Sequence, residues 1–77
     1  MSNVVIYSTP SCPYCAMVKE YLSEKKVAFT DYNVGLDQAK AQEMVKKSGQ
    51  MGVPVVDING SIVIGFNKPE INRLLGL

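Results

Sequence analysis

Two cysteines separated by two residues are the groups in this chain best suited to chemistry. Cys12 and Cys15 are its only cysteines, and they enclose Pro13 and Tyr14. An apolar run ends shortly before them and a helical pattern begins just after, so Cys12 is expected at a helix N-terminus. Unpaired N–H groups and the positive end of the helix dipole stabilise a thiolate there, which lowers a cysteine pKa to roughly 3.5–7.5. Because the thiolate is the nucleophile in thiol–disulfide exchange, the pair predicts redox chemistry.

A metal site is the main alternative for such a pair. Zinc takes four ligands in structural sites, and the chain contains no histidine and no third cysteine. Only a dimer that shares two such pairs would complete a zinc or iron–sulfur site, so we expect no metal ligands in the chain itself. A structural disulfide is a poor alternative, because a bridge from residue 12 to residue 15 closes a very short loop and removes little entropy from the unfolded chain.

The length and charge of the chain limit the remaining classes of function. Its 77 residues, 47% of them hydrophobic, predict one small domain spanning residues 1–77. The net charge of +1 argues against nucleic-acid binding, because that function requires a basic stripe. The sequence has no signal-peptide pattern and no apolar stretch near the roughly 20 residues of a membrane span. We expect a cytoplasmic monomer that binds neither nucleic acids nor membranes.

Apolar spacing and turn residues predict seven elements in the order β-α-β-α-β-β-α. The predicted ranges are 3–8, 13–26, 27–34, 37–48, 55–58, 61–64 and 69–75. The helix between the first two strands makes them parallel, and Asn59-Gly60 predicts a hairpin between the last two. The expected fold class is α/β, a four-stranded mixed sheet flanked by three helices. Thr9 or Ser11 is expected to cap the first helix, which begins at the sheet edge where open α/β sheets bind ligands.

Most other side chains of these elements have structural interpretations. Val18 and Leu22 follow Cys15 at helical spacing and predict the buried face of the first helix. Lys19 falls on the opposite face, which we expect to be solvated. The methionines inside the chain are predicted to be packing residues; these are Met17, Met44 and Met51.

With these motifs in place, the chain resembles a glutaredoxin, a small member of the thioredoxin-fold superfamily. The resemblance extends over essentially all of the chain. It is carried by Cys12-Pro13-Tyr14-Cys15, by Gly52-Val53-Pro54 and by Gly65-Phe66. The resemblance implies a thioredoxin-like fold and a disulfide oxidoreductase coupled to glutathione. It implies no tightly bound cofactor, with glutathione as a co-substrate and disulfide-containing proteins as partners.

The resemblance also implies roles for individual residues. Cys12 would be the nucleophile and Cys15 the resolving thiol, while Pro54 would follow a cis peptide bond. Val53 would offer its backbone N–H and C=O groups to the substrate in the manner of an added strand. The residues implied to contact glutathione or the target protein are Thr9, Pro13, Tyr14, Gln50, Val53, Pro54, Gly65, Phe66 and Asn67.

Two departures from the glutaredoxin pattern suggest a second candidate function. Many glutaredoxins have a lysine three residues before the nucleophile, where this chain has Thr9, and Asn67-Lys68 replaces an acidic pair after Phe66. That segment resembles the short glutaredoxin-like electron donors of ribonucleotide reductase, which thioredoxin reductase reduces. Ribonucleotide reductase, methionine sulfoxide reductase and peroxiredoxin would all suit as targets.

Overall fold

Seven helices and strands follow one another in the order that the sequence predicts. The computed structural model describes residues 3–50 and 52–76. The elements are β1 Val4–Ser8, α1 Pro13–Glu24, β2 Thr30–Asn33, α2 Gln38–Ser48, β3 Val55–Ile58, β4 Ser61–Ile64 and α3 Lys68–Leu75. None of the helices within these described ranges has the length and apolar character needed to cross a bilayer.

The four strands form one mixed sheet in the spatial order β2-β1-β3-β4, which confirms the predicted α/β class. β1 pairs with β2 in parallel and with β3 antiparallel, and β3 pairs with β4 antiparallel. This topology places the ends of β1, β2 and β4 and the start of β3 at one edge of the sheet. Both the turn into α1 and the segment before β3 therefore lie at that edge.

Successive side chains of β1 point to opposite faces of the sheet, so the core is divided into two clusters, one on each face. Val4 and Ile6 face α1 and α3, in a cluster that also contains Val18, Leu22 and Ile71. The hydroxyl of Tyr21 donates to the side-chain oxygen of Asn72 and joins these two helices. The other cluster lies under α2 and consists of Tyr7, Met44 and Val55. Because Val18 and Leu22 are fully buried, the start of α1 is held at a fixed position over the sheet.

Polar contacts attach α2 to the opposite face. The buried hydroxyl of Tyr7 donates to Glu43 at 2.5 Å, and burial raises the pKa of that hydroxyl. The ammonium of Lys47 donates to the carboxylate of Asp57 at 2.8 Å and to the Tyr7 oxygen at 3.1 Å. These contacts fix the end of α2, from which the chain passes to the segment before β3.

Two element boundaries differ from the predicted ones by two or more residues, and four others differ by one residue. α1 ends at Glu24 rather than residue 26, since Lys26 adopts a left-handed φ of 58° and the N–H of Val27 bonds back to Leu22. β2 begins at Thr30 rather than residue 27, because the parallel ladder starts opposite Val5.

The methionine predictions had mixed outcomes. Met44 is buried as predicted, whereas the prediction that Met17 packs in the core is wrong, because 43% of its surface is exposed. Met17 lies two residues after Cys15, which is off the buried stripe of α1. Met51 lies outside the described residues.

Candidate active site

The site begins at the first turn of α1, which is capped by a sulfur atom. Cys12 is the N-cap residue, with extended φ and ψ angles of −93° and 113°. Its Sγ accepts a hydrogen bond from the backbone N–H of Cys15 at 3.4 Å. The prediction that Thr9 or Ser11 caps the helix is wrong, because the helix starts at Pro13 and Cys12 is therefore the residue in the capping position. The carbonyl oxygen of Thr9 instead accepts a hydrogen bond from the N–H of Cys12 at 3.3 Å.

The two sulfurs differ in exposure. Both cysteines are free thiols, with Cys12 half-buried and Cys15 fully buried. Cys15 lies on the face of α1 that packs on the sheet, three residues before Val18. A substrate disulfide approaching from solvent therefore reaches Cys12 first.

The two thiols also differ in pKa, and the more accessible one is the easier to ionise. Burial alone would raise the pKa of Cys12, but hydrogen bonds from the thiol and backbone of Cys15 and from the backbone of Tyr14 outweigh it. Together with the charge of Lys19, they lower the pKa of Cys12 below its ordinary value. Burial and the hydrogen bond to Cys12 raise the pKa of Cys15 to about 11. The site thus holds one thiol ready to ionise and one kept protonated, as the first-turn position of Cys12 predicts.

The segment before β3 closes the site from the other side. The Val53–Pro54 peptide bond is cis, as the resemblance implies. The thiol of Cys12 faces the carbonyl oxygen of Val53, with 3.8 Å between Sγ and O. The carbonyl of Pro54 accepts the N–H of Gly65 at 2.9 Å. Hydrogen bonds therefore join Cys12, Val53, Pro54 and Gly65 in one region, although they lie far apart in sequence.

The aromatic residues of the site have different environments. Tyr14 is 59% exposed, so its ring is available to a partner. Phe66 is half-buried and packs edge-on against Tyr21, with 6.0 Å between the ring centroids. Thr9 is half-buried and lies beside Gly35, where its methyl group is 3.7 Å from the position that a Cβ would take. Pro13 is exposed at the first position of α1.

Two of the residues predicted to contact substrate have their polar groups engaged locally. The side-chain oxygen of Asn67 caps α3 and accepts the N–H of Glu70 at 3.4 Å. The backbone N–H of Gln50 donates to the hydroxyl of Ser48 at 3.3 Å, and its side chain lies against Gly52. The side-chain oxygen of Asn67 and the backbone of Gln50 thus make hydrogen bonds within their own segments.

The sequence interpretation missed Lys19. It was assigned to the solvated face of α1, but its ammonium pairs with the carboxylate of Asp31 on β2 at 3.1 Å. The charge of Lys19 lowers the pKa of both Cys12 and Cys15. Its spacing of four residues from Cys15 places the two side chains one helical turn apart, and that spacing is the signal in the sequence that points to it.

Potential metal ligands are not clustered in the described part of the chain. Within residues 3–50 and 52–76, no three side chains of His, Cys, Asp or Glu lie close enough to hold a metal ion.

Comparison with known proteins places the chain in a family. The family model described as Glutaredoxin matches residues 4–63. An uncharacterized glutaredoxin-like 8.6 kDa protein in the rubredoxin operon of Clostridium pasteurianum is 50% identical over 72 residues, covering 94% of this chain and 96% of that protein. Glutaredoxin 3 of Escherichia coli strain K12 is 40% identical over 65 residues, covering 84% of this chain and 78% of that one.

Two further similarities extend over nearly the whole chain. The glutaredoxin-like protein NrdH of Lactococcus lactis is 34% identical over 71 residues, covering 92% of this chain and 97% of that protein. The crystal structure of the glutaredoxin from Archaeoglobus fulgidus matches with a TM-score of 0.87 at 26% identity, covering 97% of this chain and 87% of that one. The chain belongs to the glutaredoxin family and has a thioredoxin-like fold.

The unequal thiols predict selective alkylation. When the reduced protein is treated with iodoacetamide near neutral pH, Cys12 should be modified first, because it is partly exposed and its pKa is lowered. Cys15 should stay unmodified, because it is buried and its pKa is about 11. Mass spectrometry with peptide mapping across a pH series measures both rates. Equal labelling of the two residues would contradict the assignment, as would a Cys12 rate that rises only around the ordinary thiol pKa of about 8.5.

Proposed function

We propose that this member of the glutaredoxin family is a dithiol oxidoreductase that reduces disulfide bonds in other proteins. The observation that carries the proposal is the inequality of the two thiols at the start of α1. Cys12 is accessible with a lowered pKa, and Cys15 is buried with a raised one. A nucleophile and a reserve thiol within one helical turn are what a two-step disulfide exchange requires.

The first step is attack by Cys12 on the substrate. Its thiolate attacks one sulfur of a substrate disulfide, so that a bond between Cys12 and that sulfur forms and the substrate S–S bond breaks. The other substrate sulfur leaves with the electron pair and takes a proton from water. The lowered pKa of Cys12 increases the thiolate fraction available for this attack and also makes Cys12 a good leaving group in the reverse direction.

The second step releases the reduced substrate. Cys15 loses its proton to water and attacks the sulfur of Cys12, forming a disulfide between the two. The remaining substrate sulfur leaves as a thiolate with the electron pair and is then protonated. The substrate gains two electrons and the protein loses two. Where the substrate is a glutathionylated protein, attack by Cys12 on the glutathione sulfur releases the protein thiol and leaves glutathione bonded to Cys12. A second glutathione thiolate then attacks the sulfur of that bound glutathione, so that glutathione disulfide forms and Cys12 leaves as its thiolate with the electron pair.

Backbone groups beside Cys12 support binding of an extended substrate. The carbonyl oxygen of Val53 lies 3.8 Å from the sulfur of Cys12. A substrate segment that pairs with the backbone of Val53, as an added strand would, brings its own disulfide next to that sulfur. We assign Val53 and Pro54 to substrate positioning on this basis.

Exposed apolar side chains support a protein as the substrate. The large hydrophobic residues exposed in the described part of the chain are Tyr14, Met17, Leu36 and Ile64. Tyr14 and Met17 lie in the first turns of α1, Leu36 follows β2 and Ile64 ends β4, so all four lie toward the edge of the sheet that carries Cys12. Exposed apolar groups around a reactive site are typical of surfaces that bind proteins.

The reductant that restores the dithiol distinguishes two candidate functions. Glutathione coupling is supported by the similarity to Glutaredoxin 3. Reduction by thioredoxin reductase, with ribonucleotide reductase as the target, is supported by the similarity to NrdH. Two residues of this chain also support the route through thioredoxin reductase. Thr9 stands where many glutaredoxins have a lysine, and the side-chain oxygen of Asn67 is engaged in capping α3. We propose a cytoplasmic setting for either route, since that compartment keeps thiols reduced.

The two cysteine variants are expected to lose different activities. Cys12→Ser should abolish reduction of every disulfide, because it removes the only exposed thiol. Cys15→Ser should keep activity on glutathione mixed disulfides, which need one thiol and free glutathione, and lose most activity on protein disulfides. Steady-state rates on a glutathionylated peptide and on a protein disulfide measure the difference. A Cys12→Ser variant that retains activity would reverse the assigned roles.

The reductant is identified by coupling the oxidised protein to each reductase in turn. One assay contains glutathione with glutathione reductase, and the other contains thioredoxin reductase alone, both following NADPH oxidation. Glutathione coupling predicts turnover in the first assay, and the electron-donor function predicts turnover in the second. No turnover in either assay would exclude both candidates, and a coloured protein on purification would favour an iron–sulfur carrier instead.

A further inference from the structure

Lys19 has a fixed place beside the two thiols. It follows Cys15 by one helical turn on α1, so the two side chains are neighbours along the helix. Its ammonium lies 3.1 Å from one carboxylate oxygen of Asp31, and both side chains are about one-third exposed. The ammonium is therefore held at the boundary between the core and solvent rather than extending freely into water.

The partner of Lys19 is itself anchored. Asp31 lies on β2 and is paired with Ile6 of β1 in the parallel ladder. Its second carboxylate oxygen accepts a hydrogen bond from the hydroxyl of Ser8 at 2.5 Å. Ser8 is buried at the end of β1 and directly precedes Thr9, whose carbonyl oxygen accepts a hydrogen bond from the N–H of Cys12 at 3.3 Å. The sheet thus fixes the carboxylate, and the carboxylate fixes the ammonium near the turn that holds the cysteines.

We propose that Lys19, held by Asp31 and Ser8, is a positioning residue for disulfide exchange whose charge stabilises the thiolates of both Cys12 and Cys15. The proposal rests on the proposed function, because it concerns the same two thiols. It also supplies a cation to a site in which Thr9 occupies the position where many glutaredoxins have a lysine.

The charges around the thiols are consistent with this role. Lys19 of α1 lowers the pKa of both cysteines, and Asp31 of β2 is the opposite charge that faces Lys19. From the segment before β3, an uncharged group faces Cys12, the carbonyl oxygen of Val53. Lys19 is thus the positively charged side chain acting on both sulfurs, and Asp31 reduces its effect without removing it.

The effect of Lys19 should be largest in the second step of exchange. In the reduced protein the pKa of Cys15 is raised to about 11, mainly by burial, and Cys15 stays buried when Cys12 is bonded to a substrate, so only a small fraction of it is ionised near neutral pH. In that range the thiolate fraction changes tenfold for each unit of pKa. The rate at which Cys15 resolves a mixed disulfide therefore rises when Lys19 lowers that pKa, and the weaker nucleophilicity of a less basic thiolate offsets part of the gain.

Three variants separate the charge of Lys19 from its bulk. Lys19→Gln removes the charge, Lys19→Arg keeps it, and Lys46→Gln removes an exposed charge from α2, away from the thiols. The measurements are the pH midpoint of Cys12 alkylation and the single-turnover rate at which a preformed mixed disulfide on Cys12 is resolved by Cys15. Thermal unfolding of each variant confirms that it is folded.

Lys19→Gln should move the alkylation midpoint to higher pH and slow resolution by about 1.5- to 5-fold, the range that a partly exposed ion pair supports. Lys19→Arg should restore both values, and Lys46→Gln should match the unmodified protein. The difference caused by Lys19→Gln should shrink as salt is added, because the pair is partly exposed.

Two results would overturn the proposal. One is a Lys19→Gln variant with unchanged midpoint and resolution rate, and the other is a Lys19→Arg variant that behaves like Lys19→Gln. Alkylation needs no substrate disulfide, so it reports the effect of Lys19 on Cys12 independently of activity. A shifted midpoint in a protein that reduces no disulfide would leave the effect of Lys19 in place and refute the proposed function.

Discussion

The hydrogen bond from the backbone N–H of Cys15 to the sulfur of Cys12 is the interaction on which the site depends. It exists because α1 begins at Pro13, so that the sulfur of the preceding residue takes the place usually filled by a side-chain oxygen. The same bond stabilises the thiolate of Cys12 and fixes its distance from Cys15. The contact that caps the helix therefore also helps to lower the pKa of Cys12.

The hydrogen bond between Cys15 and Cys12 places the sulfur of Cys12 at the sheet edge only because packing holds the start of α1 there. Val18 and Leu22 bury one face of α1 against β1 and β3, which leaves Cys15 inside and Cys12 at the rim. The segment before β3 brings the carbonyl of Val53 to the same rim. The difference in pKa between the two thiols thus arises from packing, because burial raises the pKa of Cys15 while hydrogen bonds lower that of Cys12.

Local signals in the sequence were enough to predict the elements and the reactive pair. β3 and β4 have the predicted bounds, because Asn59 and Gly60 both adopt the left-handed φ values that a tight hairpin turn requires. The place of the cysteine pair between a strand and a helix predicted that Cys12 lies at the N-terminus of α1, where the structure has it. The ends of α1 and β2 were harder, since they depend on a left-handed residue and on the register between strands.

Two further contacts were not predicted from the sequence. Helical periodicity assigned Lys19 to the solvent-facing side, but it carries no information about Asp31 on a neighbouring strand. A sulfur cap was also unexpected, because Ser, Thr, Asp and Asn are the residues that usually cap helices.

The most direct test of unequal thiols is to trap the first covalent intermediate. Reduced protein is mixed with a peptide disulfide, quenched with acid at short times, and mapped by mass spectrometry. We expect a peptide adduct on Cys12 that converts to a disulfide between Cys12 and Cys15. An early adduct on Cys15, or equal amounts on both residues, would contradict this expectation.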